Sequence, residues 1–273
     1  MISTSSLQLL TTARLQLHYA IQPIAAVGAA LAVPQPDGSQ ASLYWDAQLQ
    51  SFVGNLIQAQ QAFRVGLDPV NLVLRVLDGQ GGTIAELPLD GKTLTAAMDW
   101  LKEAIAPLGA DTSQIQLLSY PPDDFPDAPI AHGAPFDAAD ADARVALADY
   151  YAISNALLQG IATRTAASAV YIWPHHFDMA TLIDRSVQAD GSRTIGVGLS
   201  PGDTSYPEPY WYVSPYPYPA IADLPDLAGI GVWHTHHWVG AVLTASALHQ
   251  TGLESNRIDQ LQRFLNHAIE ILW

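Results

Sequence analysis

Histidines, carboxylates and aromatic rings crowd into one stretch of this 273-residue chain. Residues 169–240 hold five of its nine histidines and four of its seven tryptophans. The stretch reads AVYIWPHHFDMATLI, TIGVGLSPGD, EPYWYVSPYPYP and GVWHTHHWVG in turn. Side chains alternate along a strand, so His234 and His236 are expected to share one face, as are His176 and Asp178. Two such strands side by side offer three imidazoles and a carboxylate, with His175 as a further candidate. Neutral imidazole is a common ligand of zinc and similar divalent ions, and a carboxylate either binds the metal or orients a histidine. Against this, no HExxH helix is present, and neighbours such as His175 and His176 cannot both face one way. The competing reading is a hydrogen-bonded histidine cluster inside an aromatic core.

Three carboxylates are the catalytic candidates. Asp178 follows the histidine pair, while Asp203 and Glu208 sit where acid and base roles could be divided between two environments. Ser200-Pro201-Gly202-Asp203 is also ordinary β-turn chemistry: proline presets φ, glycine permits positive φ, and aspartate bonds nearby amides. Trp173, Tyr210, Tyr212 and Trp233 are the ligand-binding candidates, because aromatic faces with polar tips suit sugar rings or small amphipathic molecules. The same residues are favoured in strands, so a sheet face packed on helices accounts for them equally. GLSPG is not a G-x-S-x-G nucleophile elbow, and neither a P-loop nor GxGxxG occurs.

Ala134-Pro135-Phe136-Asp137, a long helix, His175 with Phe177-Asp178, Pro201-Gly202-Asp203 and a tyrosine-rich strand ending in prolines follow one another in order. This order resembles an uncharacterised bacterial domain family of unknown function with segments W-H-S-F-D, W-P-G-D and Y-S-Y-x-x-P-E-P. The Phe63 strand, the Asp78-Gly79 hairpin and Leu87-Pro88-Leu89 fit the same order, so the resemblance covers most of the chain. It implies matched positions at His175, Asp178, Gly202 and Asp203. His176 stands where the pattern has serine, and His-Thr-His-His at 234–237 lies outside it. The resemblance implies a shared fold and no particular reaction.

The elements that must position these residues are legible in part. Residues 4–28 read as a helix kinked at Pro23, AALAV (29–33) as a strand, and 41–45, 52–58 and 63–68 as short strands. NLVLRVL and TIAELPL flank a glycine-rich turn and predict a hairpin. Leu94, Met98, Leu101 and Ile105 predict a helix over 93–106. A second long helix is expected over 141–164, with Leu147, Tyr151, Leu158 and Ile161 on one side. TLIDRSV and TIGVGLS flank the turn signal QADGSR, PYWYVS is a strand, and GIGVWHTHH with VGAVLT adds further strand. A last helix is expected over about 255–272, with Ile258, Leu261, Leu265, Ile269 and Leu272 as its stripe and Thr251 with Glu254 as a capping box. AALAVP and AVYIWP echo each other and suggest two related halves. The expected fold is α+β, a largely antiparallel sheet with three or four long helices. Its parts are an N-terminal half (1–119), a Pro/Asp-rich linker (120–140) and a C-terminal half (141–273) with the candidate site, the halves sharing one core.

Composition excludes some partners. Twenty-six acids against eleven bases give a formal charge of −15, which repels phosphate backbones and anionic membrane surfaces, so neither nucleic acid nor membrane is expected. No cysteine is present, so disulfides and thiolate metal sites are ruled out. The first residues lack a basic segment ahead of an apolar block, and no run nears the ~18 apolar residues of a membrane span. A soluble cytoplasmic protein is the expectation. Two functions fit: a metal-assisted hydrolase using a zinc-like ion, or a non-catalytic small-molecule-binding or interaction module with a structural histidine cluster.

Overall fold

The computed structural model describes residues 4–121, 124–186, 193–227, 229–250 and 256–272. The turn signal QADGSR (188–193), apart from Arg193, and the Thr251–Glu254 capping box lie outside them. The fold is α+β, with helices and antiparallel strand ladders in two compact units.

The N-terminal unit spans residues 8–152 and 171–177. Helices α1 (Thr4–Ala20) and α2 (Gln22–Leu31) break at Ile21. Pro23 falls in the first turn of α2, where its missing N–H would have had no helical partner anyway. AALAV is therefore not a strand: its alanines extend α2 to Leu31, as the high helix propensity of alanine favours. This removes one leg of the apparent internal echo. Strands β1 (Leu43–Asp46), β2 (Ser51–Gly54), β3 (Phe63–Asp68), β4 (Val73–Asp78) and β5 (Thr83–Pro88) form an antiparallel meander. Helix α3 (Leu94–Ile105) starts at Thr93, whose hydroxyl accepts from the Ala96 amide at 3.1 Å, a regular N-cap. Its predicted stripe is buried. Helix α4 (Ala141–Thr165) buries Leu147, Tyr151, Leu158 and Ile161 as expected. Strand β6 (Tyr171–Ile172) pairs with β1.

The Pro/Asp-rich segment is packed into this unit. Phe136 is buried and bridges to Asp90, with backbone bonds to Gly91 and Lys92. Arg144 donates to the carbonyls of Ala138 and Val70. Charge and proline content describe this segment's surface; the phenylalanine anchors it.

The C-terminal unit spans residues 1–7, 153–170 and 178–273. It holds the second part of α4 and strands β7 (Met179–Asp184), β8 (Thr194–Ser200), β9 (Tyr210–Tyr216), β10 (Val232–His234) and β11 (Gly240–Thr244). Their order is β10-β11-β9-β8-β7, antiparallel throughout. A short helix α5 (Ala245–Gln250) was not anticipated, and α6 (Arg257–Ile271) closes the chain. The buried stripe of α6 is Leu261, Phe264, Leu265, Ala268 and Ile269, whereas Ile258 is exposed. Among the described residues no helix is long and apolar enough to cross a membrane.

The chain passes between units after residues 7, 152, 170 and 177, and α4 belongs to both. A helix that runs through both units links their unfolding, because helix formation is cooperative along its length. Calorimetry is therefore expected to give one thermal transition with matching calorimetric and van't Hoff enthalpies; two separated peaks would show independent folding.

Candidate functional site

The tyrosines of β9 set the geometry in the C-terminal unit. Trp211 points into the core, where its indole N–H donates to Ser154 Oγ at 2.8 Å. Tyr210 and Tyr212 lie on the opposite face. In register, Tyr212 meets Gly198 of β8 and Val242 of β11, while Tyr210 meets Ser200 and Thr244. A Cβ on Gly198 would lie 2.6 Å from the Tyr212 Cζ and hydroxyl oxygen, closer than any real side chain approaches. Glycine there lets the Tyr212 ring lie across β8. Its hydroxyl then donates to Asp178 Oδ2 at 2.5 Å.

Tyr210 makes the matching bond, donating to Asp203 Oδ2 at 2.5 Å. The other oxygen of Asp203 accepts from the amides of Ser205 and Tyr206 at 2.7 and 3.0 Å, the turn the sequence suggests. Burial, then the adjacent carboxylate, raises both phenols well above the ordinary tyrosine range. Each therefore stays protonated and donates. Glu208 is not part of this set. Its two oxygens accept the Ser246 amide and hydroxyl, both at 2.6 Å, at the first turn of α5. The three candidate catalytic carboxylates thus act as acceptors for groups of their own unit.

His234 is buried, and both ring nitrogens are engaged. Its Nε2 lies 2.6 Å from the His236 carbonyl. A carbonyl only accepts, so Nε2 carries the proton and Nδ1 accepts from Tyr206 Oη at 3.2 Å. Trp238, not singled out by sequence, stacks on His234 at 4.2 Å and 25° and lies close over Gly240. His236 falls in the β10–β11 loop beyond the strand, exposed, so the predicted shared strand face with His234 does not form. Trp233 donates to the Pro225 carbonyl at 2.7 Å. No three histidine, aspartate or glutamate side chains among the described residues gather into a metal-holding group. The Nδ1 lone pair of His234 faces the Tyr206 hydroxyl.

In the N-terminal unit the His-His segment is a turn. Pro174 closes β6, and Phe177 takes φ 55°, in the left-handed region. A bulky side chain rarely adopts that conformation. Here the Phe177 amide bonds the Trp173 carbonyl at 2.8 Å and its carbonyl accepts from the Tyr151 hydroxyl. Its buried ring packs on Phe52, Tyr151 and His18. Strand alternation therefore does not govern His176 and Asp178. His175 is half-buried against Trp173 and His176, and His176 is exposed, 3.9 Å from Asp124.

The groups that sequence reasoning missed lie beside this turn. His18 Nε2 and Gln22 Nε2 both donate to the Pro174 carbonyl at 2.9 Å, as its two lone pairs allow. Tyr120 donates to Gln22 Oε1 at 2.8 Å. His18 and Gln22 are one helical turn apart, a spacing that could have flagged them. Burial lowers the His18 pKa to about 3, with Arg14, His176 and His175 adding to the shift against the opposing bond to Pro174. The ring is neutral at ordinary pH. Next to this network lies a cleft of about 460 Å³ whose walls include Tyr19, Gln22, Leu94, Tyr120 and Phe125, with Asp127 at its edge. None of the candidate site residues named from sequence is in its lining.

No protein family, curated protein or solved structure matches this chain.

Two outcomes are expected. Tyr212→Phe removes a hydrogen bond to a carboxylate, so it should lower the unfolding free energy in urea by about 1.5–3 kcal/mol, nearer the lower figure because Asp178 is half-buried. Gly198→Ala should cost at least as much by displacing the ring. For His18, the unfolded chain binds the extra proton below about pH 6.5 and the folded one only below about 3. Stability conferred by neutral His18 is full above that window and falls as pH drops through it, by up to about 1.4 kcal/mol per pH unit. Denaturant titrations of wild type and His18→Gln should show the flatter slope in the variant.

Proposed function

We propose that this protein is a non-catalytic small-molecule-binding module whose ligand occupies the cleft beside Tyr120. The observation that carries this reading is a division of labour among its polar groups. Asp178, Asp203, Glu208 and His234 of the 169–240 stretch are hydrogen-bonded within their own unit. The cleft is mostly apolar, and its volume of about 460 Å³ falls in the usual range for small-molecule sites. Two of its side chains are held in place: the Tyr19 hydroxyl donates to the Pro126 carbonyl at 2.6 Å, and Tyr120 donates to Gln22. A preorganised aromatic wall limits the ordering cost of binding. The resemblance to a bacterial domain family of unknown function belongs to the same reading: it speaks for a shared scaffold in which Asp178 and Asp203 hold tyrosines in place.

The test uses a neutral fluorescent probe, N-phenyl-1-naphthylamine. Its emission should rise on wild type and on Tyr212→Phe. Ala131→Trp, which adds bulk at an exposed position in the lining, should abolish the rise while leaving the circular dichroism unchanged. Emission that stays the same in Ala131→Trp would place the probe elsewhere and overturn the assignment.

A further inference from the structure

We infer that the cleft takes short apolar peptides and reads them through their main chain; this rests on the binding reading above. Residues 117–119 form part of the cleft wall. From Ile115 to Pro121 the chain has no helix, turn or positive φ. Ile115 is extended, at φ −76° and ψ 113°, and Tyr120 precedes Pro121, a position that favours extended backbone. Leu117 and Ser119 are exposed while Leu118 and Tyr120 are half-buried, the alternation of a strand. Yet no strand pairs with this segment among the described residues. The main-chain groups of 117–119 and the Ser119 hydroxyl have no hydrogen-bond partner there either.

The polar side chains elsewhere in the wall are already engaged. Tyr19 donates to Pro126, Tyr120 to Gln22, and the Gln22 amide to two carbonyls. Asp127 accepts from His132. Hydrogen bonding to a ligand therefore falls to an extended main chain, whose N–H and C=O groups repeat at strand spacing. The ligand that matches this repeat is another extended main chain, as when a peptide adds a strand to a free edge. Leu94, Leu117 and Phe125 in the same wall suit apolar ligand side chains.

The experiment titrates acetyl-alanyl-leucyl-alanine amide against the full chain, by displacement of N-phenyl-1-naphthylamine and directly by calorimetry. Three analogues each replace one residue N–H by an ester oxygen, which removes a donor and keeps the shape. Successive N–H groups of a strand point opposite ways, so the middle replacement and the outer two should differ. One class is expected to bind about fivefold more weakly and the other like the parent. In the protein, Leu118→Pro and Ser119→Pro each remove one of two oppositely directed amides. Measured against Leu118→Ala and Ser119→Ala, one of the two should weaken the peptide about fivefold, with naphthylamine emission and circular dichroism unchanged. Where a proline variant fails to fold, the ester series on wild type decides. Equal affinity across that series, or a peptide that leaves bound naphthylamine in place, would overturn the peptide assignment and leave the binding cleft standing. If neither naphthylamine nor peptide binds, both readings fall together.

Discussion

A phenol hydroxyl carried out of water must find an acceptor, and much of this structure is arranged around that requirement. Tyr212 finds Asp178, Tyr210 finds Asp203, Tyr151 finds the Phe177 carbonyl, and Tyr120 finds Gln22. Each acceptor lies far from its tyrosine in sequence or across a turn, so each bond fixes a long-range register. Two of them use carboxylates, which accept more strongly than neutral groups. The ionised carboxylate in turn holds the phenol protonated, since a phenolate beside it would place two like charges together.

That arrangement bears on chemistry as much as on stability. A general base needs a lone pair directed at a substrate proton, and a metal ligand needs one directed at the ion. Asp178 Oδ2, Asp203 Oδ2 and both ring nitrogens of His234 are hydrogen-bonded to groups of the same unit. The cleft beside Tyr120 is lined mostly by apolar and aromatic side chains, with Asp127 at its edge.

The elements with strong periodicity were legible. The stripe of α3 and that of α4 appear where the leucine, methionine and tyrosine spacing puts them, and β3 spans the predicted 63–68. Two errors share a cause. AALAV looks strand-like because its apolar run is short, yet it continues α2 to Leu31; apolarity by itself does not separate helix from buried strand. His-Thr-His-His looks like strand, yet the strand ends at His234 and His237 takes φ 65°. In the candidate site, Asp203 and its turn were readable from Pro-Gly-Asp. Trp238 and His18 were not, because their roles depend on which ring lies above them.

Sequence by itself determined the α+β class, the buried faces of α3 and α4, the β9 strand and the acidic net charge. These follow from local periodicity and composition, which are properties of neighbouring residues. Tertiary structure decided the rest. It chose Tyr212 for Asp178, which requires a glycine at 198 on the adjoining strand. It brought His18, Gln22 and Tyr120 onto the Pro174 turn across separations of up to 156 residues. A hydrogen bond depends on position within a few tenths of an ångström. Such precision comes from strand register and packed rings, and no local pattern encodes it.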